Sequence, residues 1–260
     1  MYQSLIRILN HCDIDIKAFD VSRAKRVLAA EFSIASGGII SIDGFDYTKN
    51  DVFAELEHID FSRRLSVHVL IWRTPILLNC LEKSEIDLEN VSQLVGFYYK
   101  WHDRQVFDLI SPYFAVSFNK IMGRLLKEAR FIDACTWLDA LQLTHFDEDR
   151  NAALSSANEY LTDFIKLLKN LNAVTYKNRL PELEKFLSQP WRRFVNSLPS
   201  QFYHITNDLL SAMHNFTLII KHIDSNLCAK MIREMIEVRN IDDGLREKIL
   251  REYEGISKWI

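Results

Sequence analysis

Four cations recur near helical spacing at Lys120, Arg124, Lys127 and Arg130. Only Glu128 stands among them, while Phe114, Phe118, Ile121, Leu125 and Ala129 fall on the other side of the same helix. Such a row can meet phosphates or an acidic protein face, because ammonium and guanidinium groups recognise both. A counterweight of acids lies earlier in the chain, at Asp43, Asp46, Asp51, Glu55, Glu57 and Asp60. It resembles a calcium loop only superficially. Counted from Asp43, an EF-hand needs glycine sixth and glutamate twelfth, and Thr48 and Ala54 stand there. The acids therefore read as a solvated surface around a turn, suited to docking a basic partner.

Other constellations carry less. Glu55 and His58 have the Glu-x-x-His spacing, but a di-iron bundle needs two such pairs and further carboxylates. His204, Asp208, Ser211, Asn215 and His222 return to nearly one azimuth of a helix, and an unrecognised enzyme site is conceivable among them. That face lies opposite an apolar stripe, so it is expected to meet water. Trp101, His102, Asp103 and Arg104 mix titratable and aromatic groups at a helix end without an evident nucleophile. The nucleophile elbow, the Walker loop and the dinucleotide fingerprint are missing from the sequence. No catalytic residue, metal or cofactor is expected.

Cys12, Cys80, Cys135 and Cys228 are scattered, without a Cys-x-x-Cys pair, and read as reduced thiols among apolar neighbours. Residues 1–11 are too short an apolar run for a signal peptide and contain Arg7. The most apolar window, 65–81, carries Arg73 and Pro75, so no membrane span is expected. Those features point to the cytoplasm. The formal charge is −3, with 16 cations to 17 acids in residues 1–130 and 16 to 18 in residues 131–260. That balance makes nucleic acid the weaker expectation and a protein partner, or self-association, the stronger.

The elements that position these groups are mostly helical. Apolar residues at 21, 24, 28, 32 and 35 predict a helix over 20–36, capped by Asp20 and stopped by Gly37 and Gly38; residues 2–11 predict a shorter one before it. Asp43-Gly44 between two β-rich runs predicts a hairpin of 39–42 and 45–48. Thr48 and Asp51 form a cap signal for a helix to about 58. Residues 62–82 fit both periods; the length of the run favours helix, kinked at Pro75. Further helices are predicted over 90–100 with an extension to 103, from Ser111-Pro112 to 130, over 131–143, and from 148 through a stripe at Leu154, Ala157, Leu161, Phe164, Leu168 and Leu171. Two short helices begin near Pro181 and Pro190. A long one over 200–222 carries Phe202, Ile205, Leu209, Met213, Phe216, Ile219 and Ile223, and two more cover 226–238 and 245–253.

The expected fold is mainly α, a multi-helix bundle of about ten helices with one small β-hairpin near the N-terminus. Residues 1–85 are expected to form a helix and hairpin subdomain and 86–260 a helical domain, with a possible inner boundary at 172–199. The terminal Trp259-Ile260 reads either as a detachable apolar anchor or as the last residues packing home. The function expected is a non-enzymatic helical interaction module: a scaffold, adaptor or assembly subunit that works by presenting helix faces.

Overall fold

A computed structural model describes residues 1–101 and 103–256. The fold is mainly α, with one antiparallel hairpin near the N-terminus. Fifteen α-helices occur among the described residues, where the sequence period suggested about ten. Two predicted helices are each broken into two, the one over 62–82 before Pro75 and the one from 148 to 171 at Leu154. His102 and the Trp259-Ile260 pair lie outside the described residues.

The chain divides into two compact units, Met1–Ser117 with Gln142–Arg150, and Phe118–Leu141 with Asn151–Ile260. The boundary suggested at residue 85 falls inside the first unit, and 172–199 falls inside the second.

The first unit begins with α1 (Leu5–His11) and α2 (Val21–Ile34). Asp20 caps α2 by accepting the Arg23 N–H at 2.8 Å, satisfying one of the orphan donors of the first turn. The hairpin follows, β1 (Ile39–Ile42) and β2 (Phe45–Thr48), with Ile42 opposite Phe45. Its two turn residues, Asp43 and Gly44, have φ of 52° and 82°, the left-handed pair that matches the twist of the strands. Thr48 then caps α3 (Lys49–Leu56) by accepting the Asp51 N–H. Residues 62–82 are helical, as α4 (Phe61–Trp72) and α5 (Pro75–Lys83). Pro75 opens α5 and does not merely kink one helix, since its missing N–H is harmless only in a first turn. α6 (Val91–Lys100) ends before the predicted extension to 103. The core gathers Leu5, Ile6, Ile8 and Leu9 of α1 with Leu28, Phe32, Ile40, Tyr47, Val52, Leu56 and Phe61.

Next is α7 (Arg104–Lys127), and it corrects the reading of Ser111-Pro112 as a helix start. Asp103 supplies the cap instead, accepting the Gln105 N–H at 2.9 Å, and Pro112 sits in the helix interior. An interior proline costs about 3 kcal/mol. Phe107, Ile110 and Phe114, all at most 2 % exposed, each return about 1.5–3 kcal/mol of burial, so the helix persists. Ser111 serves another purpose. Its hydroxyl donates to Asp149 and accepts the His145 N–H at 2.9 Å, tying segment 142–150 into the first unit.

In the second unit α8 (Phe131–Leu138) passes into a 3₁₀ turn over Asp139–Leu143. α9 (Asp147–Ala153) and α10 (Ser155–Asn170) are separate, broken at Leu154, where one continuous stripe was expected. α11 (Leu180–Lys185) and α12 (Gln189–Ser197) each carry proline at the start. α13 (Tyr203–Ile220), α14 (Ser225–Ile236) and α15 (Asp243–Ile256) complete the unit. α10 packs on α13, α8 on α12, and α14 on both α13 and α15. Trp137 stacks on Phe118 at 5.0 Å and donates its indole N–H to the Phe118 carbonyl at 3.1 Å. No helix among the described residues is long and apolar enough to cross a membrane.

Candidate functional site

A cavity of about 510 Å³ opens in the first unit, lined by residues from four places in the sequence. Tyr2 and Leu5 come from the segment at α1. Tyr47, Asp51, Val52, Ala54 and Glu55 come from β2 and α3, with His58 just beyond. His68 projects from α4 and Tyr113 from α7.

Glu55 organises this group. It stands on the last turn of α3, and α4 presents Arg64 and His68, four residues apart and so on one face. Arg64 grips the carboxylate with two hydrogen bonds, Nε to Oε1 at 2.5 Å and Nη2 to Oε2 at 2.6 Å. His68 Nε2 lies 3.0 Å from Oε1. Burial alone would raise the Glu55 pKa, but the hydrogen bonds from His68 and Arg64 outweigh it and hold the carboxyl at about 2. Glu55 is therefore ionised and can only accept. The chain continues from the other ring nitrogen, with Tyr2 Oη 2.8 Å from His68 Nδ1. Burial, and after it the Glu82 carboxylate, push the Tyr2 phenol far above its ordinary range, so Tyr2 stays protonated. These two partners assign neutral His68 the Nε2–H tautomer: Tyr2 donates to Nδ1 and Nε2–H donates to Glu55. The Tyr2 ring also stacks on His68 at 5.7 Å and meets Tyr113 edge-on at 5.5 Å.

This buried chain is satisfied along its length. It fixes a carboxylate, an imidazole and a phenol in the cavity floor, with Tyr2 1 % and His68 3 % exposed. The groups left over belong to the wall. Asp51 accepts the Thr48 hydroxyl at 2.6 Å through Oδ2, and Oδ1 has no partner among the described residues. The Tyr113 hydroxyl and His58 Nε2 are likewise without partners there. No lysine or arginine lines the cavity.

Sequence reasoning singled out Glu55 and His58 as a pair, and the structure separates their roles. His58 Nδ1 accepts the Asp60 N–H at 3.1 Å, while Glu55 turns to Arg64 and His68. Those partners were missed. The spacing of Arg64 and His68 was a usable signal, but nothing in the sequence announces Tyr2 as the third member, 66 residues from His68. The remaining acids are dispersed: Asp43 lies 3.4 Å from Arg7, Asp46 accepts from Ser41, and Glu57 pairs with Lys25.

Of the cationic row, Lys120, Arg124 and Lys127 are exposed on one face of α7, over buried Ile121, Met122, Leu125 and Leu126. Arg130 leaves that helix. Ala129 takes φ of 55°, and the Arg130 and Ala129 N–H groups close the end on the Leu125 and Leu126 carbonyls. Arg130 then pairs with Asp133 at 2.6 Å and Glu128 at 3.6 Å. His204, Asp208, Asn215 and His222 are exposed and Ser211 is half-buried, as a solvated face requires. The stripe on the opposite side holds only in part, since Ile219 and Ile223 stand 45 % and 51 % exposed. α13 ends at Ile220, and the Ile223 and Asp224 N–H groups both turn back to its carbonyl, so the helical period stops there. Trp101 closes α6 and Asp103 caps α7, so two of the Trp101–Arg104 group serve helix ends.

Searches against protein-family models, curated proteins and solved structures find no match to this chain.

Proposed function

We propose that this chain is a non-enzymatic helical protein–protein interaction module, a scaffold, adaptor or assembly subunit acting in the cytoplasm. The observation that carries this reading is at the end of α13. Leu218, Ile219 and Ile223 are 38 %, 45 % and 51 % exposed, although the pattern that buries the rest of the helix assigns both isoleucines to the core. Several apolar side chains held outward within six residues are what a contact surface supplies. The cytoplasmic assignment is supported by four free thiols, two of them buried, which suit a reducing compartment.

The test is paired. Light scattering after size exclusion reports self-assembly over a range of concentrations, and affinity capture from the native cell reports a foreign partner. The double substitution Ile219→Lys, Ile223→Lys is expected to abolish the complex and leave the melting temperature unchanged, since both positions face solvent. A monomer at every concentration that captures no protein would refute the reading.

A second reading follows from Lys120, Arg124 and Lys127, whose outward row suits nucleic-acid phosphates. Binding of that kind weakens with a slope of about −0.9 in log salt for each phosphate neutralised on duplex DNA. Absence of any mobility shift with DNA or RNA at low salt ends it.

A further inference from the structure

We infer that a cavity in the second unit binds a small amphipathic carboxylate, an alkyl or aryl acid whose apolar body enters the cavity and whose charged end meets Arg239. The site lies at the start of α13, whereas the apolar side chains read above as a contact surface lie at its end. The inference goes beyond the interaction reading and does not depend on it.

The cavity holds about 550 Å³, within the range of about 300–1,000 Å³ typical of ligand pockets. Two connections wall it. Residues 198–202, with the 3₁₀ turn Ser200–Phe202, join α12 to α13, and residues 238–241 join α14 to α15. The floor is apolar: Val195, Leu198, Phe202, Val238 and Ile241 line it, and each is at most 8 % exposed. A hydrocarbon body is what such a floor takes out of water.

The polar groups then select the other end of the ligand. Arg239 is the one charged side chain in the lining among the described residues, with no aspartate, glutamate, histidine or second cation beside it there. It is exposed, and its guanidinium has neither an ion pair nor a hydrogen bond among the described residues. The N–H of Asn240, the next residue in the lining, is also without a partner there. Thr206 lines the same space at 4 % exposure, and its hydroxyl has no partner among the described residues. A hydroxyl in so buried a wall calls for a partner supplied from the cavity. A guanidinium and an amide N–H can only donate, so they are answered by an acceptor, best by a charged one. An ammonium-ended ligand would meet Arg239 with no acid to offset the repulsion, and a plain hydrocarbon would leave these donors unanswered.

The segment carrying Arg239 is held in place from both sides. Asn196 of α12 donates through Nδ2 to the Glu237 carbonyl at 3.1 Å and accepts the Arg239 N–H through Oδ1 at 2.8 Å. Arg246 of α15 donates to the Val238 and Arg239 carbonyls at 3.1 and 2.7 Å. The backbone of the rim therefore has little to reorganise when a ligand enters.

The experiment is isothermal titration calorimetry of the full chain with octanoate, octylammonium and 1-octanol, which share one tail and differ at the head. Octanoate is expected to bind at one site per chain, at least about tenfold more tightly than octylammonium and more tightly than octanol. Arg239→Gln is expected to weaken octanoate about fivefold, as for one partly exposed charge pair, and to leave octanol binding unchanged. Ser200→Trp, which places a large ring at an exposed lining position, is expected to abolish binding of octanoate and octanol alike. Thermal melts of both variants should overlay the parent; if Ser200→Trp melts early, the octanoate and octanol titrations of Arg239→Gln decide by themselves. No heat with octanoate, octylammonium binding as tightly, uptake of several octanoates per chain, or octanoate binding indifferent to Arg239→Gln would each overturn the assignment.

Discussion

Arg7 and Glu82 offer the sharpest energetic test in the first unit. Glu82 is 1 % exposed and the Arg7 side chain 11 %. The guanidinium meets both carboxylate oxygens, at 2.6 and 2.9 Å, and the Ser4 N–H adds a third bond at 3.2 Å. The guanidinium also lies 4.5 Å over Phe45 and 5.7 Å over Trp72. Removing one partner of a buried pair leaves the other charge desolvated, at a cost of about 3–5 kcal/mol. Arg7→Met abandons Glu82 to a single backbone N–H and should reach that range. Glu82→Met should fall near the lower end, because Asp43, 3.4 Å from Arg7 but 75 % exposed, supplies a weak substitute. The double change Arg7→Met, Glu82→Met replaces both charges with flexible apolar groups beside two aromatic rings, and should lie within about 1 kcal/mol of the parent. The resulting coupling of several kcal/mol is the quantity to measure, by urea denaturation of all four chains in a double-mutant cycle. Hydrogen exchange of the α1 amides assigns the loss to the first unit. A single substitution costing under about 1 kcal/mol would refute the reasoning, since it would show that the pair is not desolvated.

Further outcomes follow from other sites. Glu55 titrates at about 2 in the folded chain against an ordinary value of 4.5, so its contribution is complete above pH 4.5 and is lost as pH falls toward 2; Glu55→Gln should flatten the stability profile across that window in acid titrations followed by circular dichroism. Burial raises the Cys80 thiol to about 12 and, with help from nearby acids, Cys12 and Cys228 to about 11. Native labelling with a disulfide reagent at pH 8 should therefore be slow, with Cys80 and Cys228 modified only after denaturant is added, as read by mass spectrometry. Ala129 holds the left-handed position that ends α7, where glycine is free of side-chain strain. Ala129→Gly should stabilise the chain by about 0.5–1 kcal/mol in urea melts, net of the entropy glycine adds to the unfolded state. Gly123 is the reverse case: a Cβ there would stand 2.9 Å from Ser156 Oγ, so Gly123→Ala should lower the melting temperature.

Local signals were legible wherever a few neighbouring residues decide the conformation. The Asp43-Gly44 hairpin, the Asp20 and Thr48 caps and the prolines opening α11 and α12 all stand where their chemistry put them. Ser111-Pro112 failed for an instructive reason. Its cap grammar is real, but Asp103 had already started the helix and buried aromatics carried it through the proline. The apolar stripe of 148–171 concealed the break at Leu154, because a period records which residues are apolar and not whether the backbone between them is continuous.

The sequence by itself determined the helical class, the single hairpin and the outward placement of Lys120, Arg124 and Lys127. Those follow from turn chemistry and from a 3.6-residue period, both contained within a dozen neighbouring residues. Tertiary structure alone decided that Tyr2 would meet His68 and His68 would meet Glu55, that Ser4 and Arg7 would close on Glu82, and that Ile219 and Ile223 would stay outside. Partners that distant in sequence are chosen by how whole helices pack, and a carboxylate takes the donor that packing delivers.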